Sequence, residues 1–175
     1  MTNQTMKKNI TFLIVLLVRL YSYAQEEIKI YEDKDYEIKY PSNWTLETET
    51  GTEATFAIKA PLSSDKDSFV ENVNLITQDL KGMGITLDKY VKYNESQIKT
   101  ISNGELFYSK KDTRDGREYH TLVFKGTINN LELKVRQLYS VKNEMDYVLT
   151  FTTLENEYED LEEIGKEIID TFKLK

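Results

Sequence analysis

Four alternating strand patterns separated by short turn sequences fill the second half of the chain, and this arrangement constrains the fold more than any other feature. The alternating runs cover residues 106–112, 117–126, 131–142 and 146–154. The breaks between them are Asp115-Gly116, Asn129-Asn130 and Asn143-Glu144-Met145, residue types that accept positive φ angles. Because strands joined by such short loops pair antiparallel, the sequence predicts a four-stranded meander.

Counting outward from the turns predicts the register of the meander. Around Asn129-Asn130, residue numbers that sum to 259 face each other, so His120 faces Tyr139. If the next loop is centred on Glu144, residue numbers that sum to 288 face each other. This register sets Tyr139 opposite Leu149 and Leu138 opposite Thr150. One face then forms an apolar core of Leu122, Phe124, Leu133, Val135, Tyr139, Leu149 and Phe151. The opposite face is mixed, with Lys125 opposite Lys134 and Val123 opposite Arg136.

The first half adds strands and one helix. Alternation at 28–30 and 36–40 around a polar stretch predicts a hairpin, and two more strands are expected at 55–59 and 70–77. A helix capped by Thr86 should run until Asn103-Gly104 stops it. A second helix ends the chain, with acids in its first turns and an apolar stripe of Tyr158, Leu161, Ile164, Ile168, Ile169 and Phe172.

The N-terminus has the pattern of an export signal. Lys7 and Lys8 precede the apolar run 10–18, and Ser22-Tyr23-Ala24 offers small residues for cleavage after Ala24. The run is shorter than the roughly 20 apolar residues that span a bilayer, so we expect no membrane span in the mature form. We therefore predict a cleaved signal peptide, residues 1–24, and a single domain, residues 25–175, in a periplasmic or secreted protein.

Charge and cysteine content exclude several functions. Removing residues 1–24 leaves 20 cations against 30 acids, a net charge of −10, which disfavours binding to nucleic acid. Because the chain has no cysteine, it has no disulfide, no catalytic thiol and no thiolate metal site. The acidic loops lack the residue pattern of a calcium-binding loop. We predict no catalytic, cofactor or metal residues.

Several segments, in this order, resemble the PsbP-like family across nearly all of the mature chain. They are Tyr40-Pro41 with Trp44, the strand ENVNLITQDL, the helix start TLDKYVK, DGREYHTLVFKG, the meander, and the C-terminal helix running into IIDTFKLK. The resemblance implies an α+β fold, an α/β/α sandwich with a mostly antiparallel, meander-rich sheet. The C-terminal helix would cover one face, and the middle helix, together with the N-terminal hairpin, the other. The family comprises binding and assembly proteins, including extrinsic photosystem II subunits and bacterial envelope proteins.

The YPSNW segment is interpreted as structural. Pro41 cannot donate to a sheet and ends its strand, and the chain then turns at Ser42-Asn43. This turn delivers Trp44 back toward the sheet or a helix, where so large a ring would be buried in the core along with Tyr40.

His120 is the only histidine, so any Ser-His-Asp or Cys-His catalytic scheme must use it. The predicted register places it on the core face opposite Tyr139. We therefore expect His120 and Tyr139 to be structural residues, with His120 hydrogen-bonded to a neighbour such as Tyr139. The alternative is a hydrolase, which requires a serine and an acid within hydrogen-bond reach of His120.

The mixed face carries the predicted binding site. Lys125 opposite Lys134 is an unfavourable pair, Arg136 lies one row along, and Tyr108 and Lys110 fall on the adjacent strand. These five residues would form a shallow groove for an anionic group or an acidic segment of a partner. Alternatively, acids from the middle helix or the hairpin neutralise the cations.

The predicted function is that of an exported, non-catalytic, monomeric binding or assembly accessory protein with an envelope or secreted protein as its partner. The first alternative is the hydrolase that uses His120. The second is a carrier for a small apolar ligand, which needs a cavity of roughly 300 Å³ or more between sheet and helix.

Overall fold

A computed structural model describes residues 27–64, 67 and 69–175. The predicted signal peptide and its cleavage site lie outside these residues. Within the described residues the structure has ten strands: β1 (Ile28–Glu32), β2 (Tyr36–Pro41), β3 (Thr45–Glu47), β4 (Phe56–Lys59), β5 (Asn72–Asp79), β6 (Ser102–Arg114), β7 (Arg117–Ile128), β8 (Leu131–Lys142), β9 (Met145–Leu154) and β10 (Lys173–Leu174). The helices are α1 (Leu87–Ile98) and α2 (Tyr158–Asp170), and a 3₁₀ turn (Glu155–Glu157) precedes α2.

The strands form two antiparallel sheets. The main sheet has the order β3-β4-β5-β9-β8-β7-β6, and the small sheet has the order β1-β2-β10. The predicted hairpin and meander are both confirmed. Strands β3 and β10 are not predicted by the sequence, because three-residue and two-residue strands carry no readable alternation and exist only through their pairing.

All three meander turns are two-residue loops in which both central residues have positive φ, the geometry of a type I′ turn. The loops are Asp115-Gly116, Asn129-Asn130 and Asn143-Glu144. The β7–β8 register is as predicted, with His120 opposite Tyr139.

The predicted β8–β9 register is wrong by one residue. Because Met145 pairs with Lys142 and belongs to the strand, Tyr139 faces Val148 and Leu138 faces Leu149. A shift of one residue moves every side chain of a strand to the other face. Leu149 and Phe151 therefore lie on the face that was predicted to be mixed.

Both faces of the main sheet are consequently buried, and each has its own core. The face toward α1, here called the α1 face, carries Leu122, Phe124, Leu133, Val135, Tyr139 and Val148. The opposite face, here called the α2 face, carries Val123, Leu138, Leu149 and Phe151, packed against α2 and the small sheet. The predicted α+β class, with a sheet between helices, is confirmed.

The two helices cover different parts of the sheet. Helix α1 packs on β6, β7 and β8, and Thr86 caps it by accepting from the Lys89 amide at 3.4 Å. It ends at Ile98, earlier than the predicted stop at Asn103-Gly104. The N-terminal hairpin lies beside α2 and not beside α1 as expected, because β2 pairs with β10 directly after α2.

Candidate functional site

The five residues of the predicted groove lie on three adjacent strands of the main sheet. Lys125 pairs with Lys134, while Tyr108 and Arg136 flank Val123 from opposite sides. Lys110 lies one row along, opposite Thr121. Strand parity places all of them on one face of the sheet, as the sequence predicts, and this face is the α2 face.

Acids from the C-terminal part of the chain, rather than from the middle helix or the hairpin, neutralise two of the cations. Arg136 donates from Nη2 to Glu162 Oε1 of α2 at 2.8 Å. Lys125 Nζ lies 2.8 Å from Glu155 and 3.6 Å from Glu105, and these contacts, led by the hydrogen bond to Glu155, raise the Lys125 pKa. Neutralisation by acids, the alternative that the sequence leaves open, therefore holds for Lys125 and Arg136, although the acids come from other elements than expected.

Lys134 is stabilised by aromatic rings. Its Nζ lies 4.2 Å from the ring centroid of Tyr158 and 4.9 Å from that of Phe107. Within the part of the chain that the structure describes, neither Lys134 nor the exposed Lys110 makes an ion pair. These two ammonium groups retain positive charge at the surface of an acidic protein.

A β-bulge places two neighbouring aromatic residues at this surface. The register of β6 shifts between Leu106 and Tyr108, and Phe107 is the extra residue. Phe107 is 47% exposed and Tyr108 is 44% exposed. We call Phe107, Tyr108, Lys110 and Lys134 the edge patch. Phe107 is missed by the sequence analysis, although two adjacent aromatic residues on one strand are the signal that could have revealed it.

A pocket of about 130 Å³ lies next to the edge patch, between β6 and α2. We call it the β6–α2 pocket. It is lined by Tyr108, Lys110, Asp112, Arg114, Thr121, Arg136, Lys166 and Asp170. The structure thus brings together three of the five predicted groove residues, and Lys125 instead lines a separate polar cavity of about 500 Å³ with Glu105, Glu132 and Glu155.

His120 lies at the rim of the α1 face and bonds to a serine. Its Nε2 is 2.8 Å from Ser109 Oγ, and Ser109 Oγ is 2.5 Å from Glu95 Oε1 of α1. The expected bond to Tyr139 is absent, since the Tyr139 hydroxyl donates to Gln137. Burial is the main cause that lowers the His120 pKa.

The series of hydrogen bonds that links Glu95, Ser109 and His120 differs from that of a serine hydrolase triad. Ser109 has one hydroxyl proton, and because it donates that proton to Glu95, His120 Nε2–H must donate to Ser109. His120 Nδ1 is then a buried acceptor without a hydrogen-bond partner, whereas in a triad it donates to the acid. In this arrangement two hydrogen bonds hold Ser109 in place, and its hydroxyl proton points to Glu95 and not to His120.

The YPSNW segment lies in the core. The Trp44 amide donates to the Pro41 carbonyl at 3.0 Å, which closes the turn after β2. Trp44 is 3% exposed and Tyr40 is 6% exposed, both in the core next to α2. An apolar groove between β2 and α2 measures about 170 Å³, which is below the size needed for a carrier of apolar ligands.

The described residues, 27–64, 67 and 69–175, contain no group of three or more metal-binding side chains. No helix in the same part of the chain has the length and apolar character to cross a membrane.

Solved structures with this fold come from several organisms. Cyanobacterial PsbP (CyanoP) from Synechocystis sp. PCC 6803 is 15% identical, with a TM-score of 0.64 over 88% of this chain and 96% of that chain. LpqN of Mycobacterium tuberculosis, described as involved in cell envelope biogenesis, is 15% identical, with a TM-score of 0.62 over 85% and 90%. The Saccharomyces cerevisiae Ran-binding protein Mog1p is 10% identical, with a TM-score of 0.54 over 86% and 96%.

A comparison with curated proteins gives no match. The sequence family described as PsbP-like protein matches residues 20–174, nearly the whole chain. This chain therefore belongs to the PsbP-like family.

Proposed function

We propose that this protein is an exported, monomeric, non-catalytic binding or assembly accessory protein that holds an envelope or secreted protein through its edge patch. The observation that carries the proposal is the exposed pair Phe107 and Tyr108 beside the unpaired ammonium groups of Lys110 and Lys134. Aromatic residues are enriched at protein interfaces, and charged groups beside them select partners of complementary charge.

Charge identifies the kind of partner segment. The full chain has a net charge of −7, so an acidic partner is repelled by most of this surface. Lys110 and Lys134 provide a local exception where an acidic segment can bind, and Phe107 and Tyr108 provide apolar contact area beside it. We therefore propose that the partner presents an acidic segment that also contains apolar residues.

The relatives support a binding role. Mog1p is described as Ran-binding, and LpqN is described as involved in cell envelope biogenesis. For the present chain, the sequence pattern of residues 1–24 supports export with cleavage after Ala24. Binding to an envelope or secreted protein agrees with both.

The test is capture of the partner from an envelope extract of the source organism by the tagged protein, followed by mass spectrometry. The double variant Phe107→Ser with Lys110→Glu should lose at least tenfold of the captured partner, because it removes one aromatic anchor and reverses one charge. The thermal unfolding midpoint should change little, since both side chains are exposed.

A matched control exists on the opposite side of the sheet. Tyr93 is 61% exposed on α1, and Lys92 beside it is also exposed. The double variant Tyr93→Ser with Lys92→Glu makes the same chemical changes there and should capture the partner normally. Equal capture by the two double variants would remove the edge patch from consideration.

Hydrolysis at Ser109 is the second candidate function, favoured by the 2.8 Å contact between Ser109 Oγ and His120 Nε2. We expect it to fail because the Ser109 hydroxyl donates its hydrogen bond to Glu95 and not to His120. A fluorophosphonate probe tests this directly, with Ser96 of α1 as an exposed serine for comparison. Labelling of Ser109 that is lost in His120→Ala would establish the hydrolase and contradict the non-catalytic proposal.

A further inference from the structure

The β6–α2 pocket combines positive charge with a size suited to a small ligand. Four cations and two carboxylates line it, so its walls carry two net positive charges. Its volume of about 130 Å³ is the space of roughly four water molecules, enough for one carboxylate, phosphate or sulfate group but not for a larger molecule.

Part of the lining charge is already neutralised. Arg114 pairs with Asp112 at 2.8 Å and with Asp170 at 3.2 Å. One oxygen of Asp112 is buried without a hydrogen-bond partner. Because two carboxylates already engage Arg114, it is not assigned to the anion site.

The two lysines of the lining are less fully neutralised. Lys110 of β6 and Lys166 of α2 both line the pocket, and Lys110 makes no ion pair with any residue that the structure describes. Lys166 shares its only carboxylate partner within the described chain, Asp170, with Arg114. Ammonium groups supplied by both the strand and the helix favour an anion bound in the pocket.

Arg136 contributes an unused donor to the lining. Its guanidinium group is largely buried, with 14% of the side chain exposed, and Nη2 donates to Glu162 just outside the pocket. Its Nε–H is buried and has no hydrogen-bond partner. Leaving a buried donor without a partner is unfavourable, and an acceptor bound in the pocket would supply one. The Thr121 hydroxyl and the Tyr108 hydroxyl lie in the same lining and can donate as well.

We propose that the β6–α2 pocket binds one compact oxyanion between Lys110, Lys166 and Arg136. The inference extends the proposed function, because Tyr108 and Lys110 belong to both the pocket and the edge patch. An acidic side chain of the bound partner would place its carboxylate here, next to the aromatic contacts. A phosphoryl group or a free inorganic anion offers the same oxygen acceptors, and the experiment separates these sources.

The test is an NMR titration of the ¹⁵N-labelled protein with sodium phosphate, and separately with sodium acetate, at constant ionic strength set by sodium chloride. We expect saturable shifts of the Arg136 Nε–H resonance and of the Thr121 amide. Lys110→Gln and Lys166→Gln should each weaken binding at least threefold. Lys92→Gln on α1 removes an equivalent charge away from the pocket and should leave the affinity unchanged.

Shifts that do not saturate with either anion, or equal affinity in Lys110→Gln and Lys92→Gln, overturn the proposal. A short peptide of aspartate and glutamate that binds more tightly than acetate assigns the oxyanion to a partner's carboxylate. Phosphate that binds more tightly than the peptide assigns it to a phosphoryl group or free phosphate. If the natural protein binds the anion but the variant Phe107→Ser with Lys110→Glu captures the partner normally, the pocket proposal holds and only the proposed function is contradicted.

Discussion

Arg136 on β8 and Glu162 on α2 form a hydrogen-bonded ion pair of 2.8 Å that joins the main sheet to the C-terminal helix. The arginine side chain is largely buried, whereas the glutamate is 42% exposed. A charge in this buried position depends on its counter-ion for stabilisation, because water solvates it poorly. The pair therefore holds the helix in place as well as neutralising the predicted groove.

Removing the Glu162 charge should destabilise the protein. Glu162→Gln keeps the size of the side chain but leaves the buried guanidinium group without its counter-ion, so we expect a loss of about 1–3 kcal/mol in the free energy of unfolding. Urea denaturation at pH 7 measures it. Glu163→Gln, at the next and exposed position, should change stability by less than about 0.5 kcal/mol. Equal effects of the two substitutions would contradict a structural role for the pair.

Gly165 should not tolerate alanine. A Cβ atom added at Gly165 would lie 2.3 Å from the Phe151 ring, so α2 can approach the sheet only because this side chain is absent. Alanine has a higher helix propensity by about 1 kcal/mol, but overpacking costs about 1–3 kcal/mol, so we expect a net loss of stability.

The reason for the Gly165 effect can be tested by a second substitution. Phe151→Leu removes the edge of the ring that the new Cβ would meet, and it should recover part of the stability lost in Gly165→Ala. A double variant whose loss is the full sum of the two single losses would show that the two residues do not interact.

Thr171 should be needed for its hydroxyl group rather than its shape. Its Oγ1 accepts from the Lys39 amide of β2 at 2.9 Å and donates to the Ile168 carbonyl at 2.7 Å, which ties the small sheet to the end of α2. Thr171→Val preserves the shape but leaves the amide unpaired, at a cost of about 1–3 kcal/mol by chemical denaturation. Thr171→Ser keeps the hydroxyl and should lose less than half as much.

Stability should fall as the pH rises toward 7 because of Asp146. This residue is 1% exposed beneath α1, and burial raises its carboxyl pKa from 3.8 to about 7. Tyr90 of α1 and the Tyr147 amide lower the pKa only partly, and neither makes a hydrogen bond of normal geometry with the carboxyl group. Tyr139 is the other titratable group facing it.

The sign of the pH effect follows from this raised pKa. The folded protein holds the Asp146 proton that the unfolded chain releases near pH 4. The resulting loss of folding stability therefore grows between pH 4 and pH 7 and is complete above pH 7. The shift corresponds to at most about 4 kcal/mol. Asp146→Asn should therefore be more stable than the natural protein at pH 8 and similar to it at pH 4, whereas the exposed Asp160→Asn should follow the natural profile. A profile of stability against pH for Asp146→Asn that runs parallel to that of the natural protein would contradict the assignment of this pH effect to Asp146.

Local sequence patterns were sufficient to predict both helices, every strand except β3 and β10, and the register between β7 and β8. The Asn129-Asn130 turn fixes the β7–β8 pairing, because both residues accept positive φ and the alternation on either side permits one alignment. At the next turn, Glu144 has a positive φ of 58°, which makes the loop one residue shorter than the sequence indicates. Glutamate is not a typical residue in this conformation, so no local signal distinguished the two lengths.

The sequence alone determined the hairpin, the meander, the two helices and the buried YPSNW turn. It also placed five residues on one sheet face: Tyr108, Lys110, Lys125, Lys134 and Arg136. These features follow from short-range periodicity and turn chemistry, which are readable along the chain, whereas the α+β class followed from the resemblance to the PsbP-like family. Tertiary structure decided that α2 covers this face, that Glu162 and Glu155 neutralise two of the cations, and that Ser109 rather than Tyr139 bonds to His120. These contacts join residues between 11 and 30 positions apart through the packing of helices on the sheet, and no local pattern encodes which face a helix will cover.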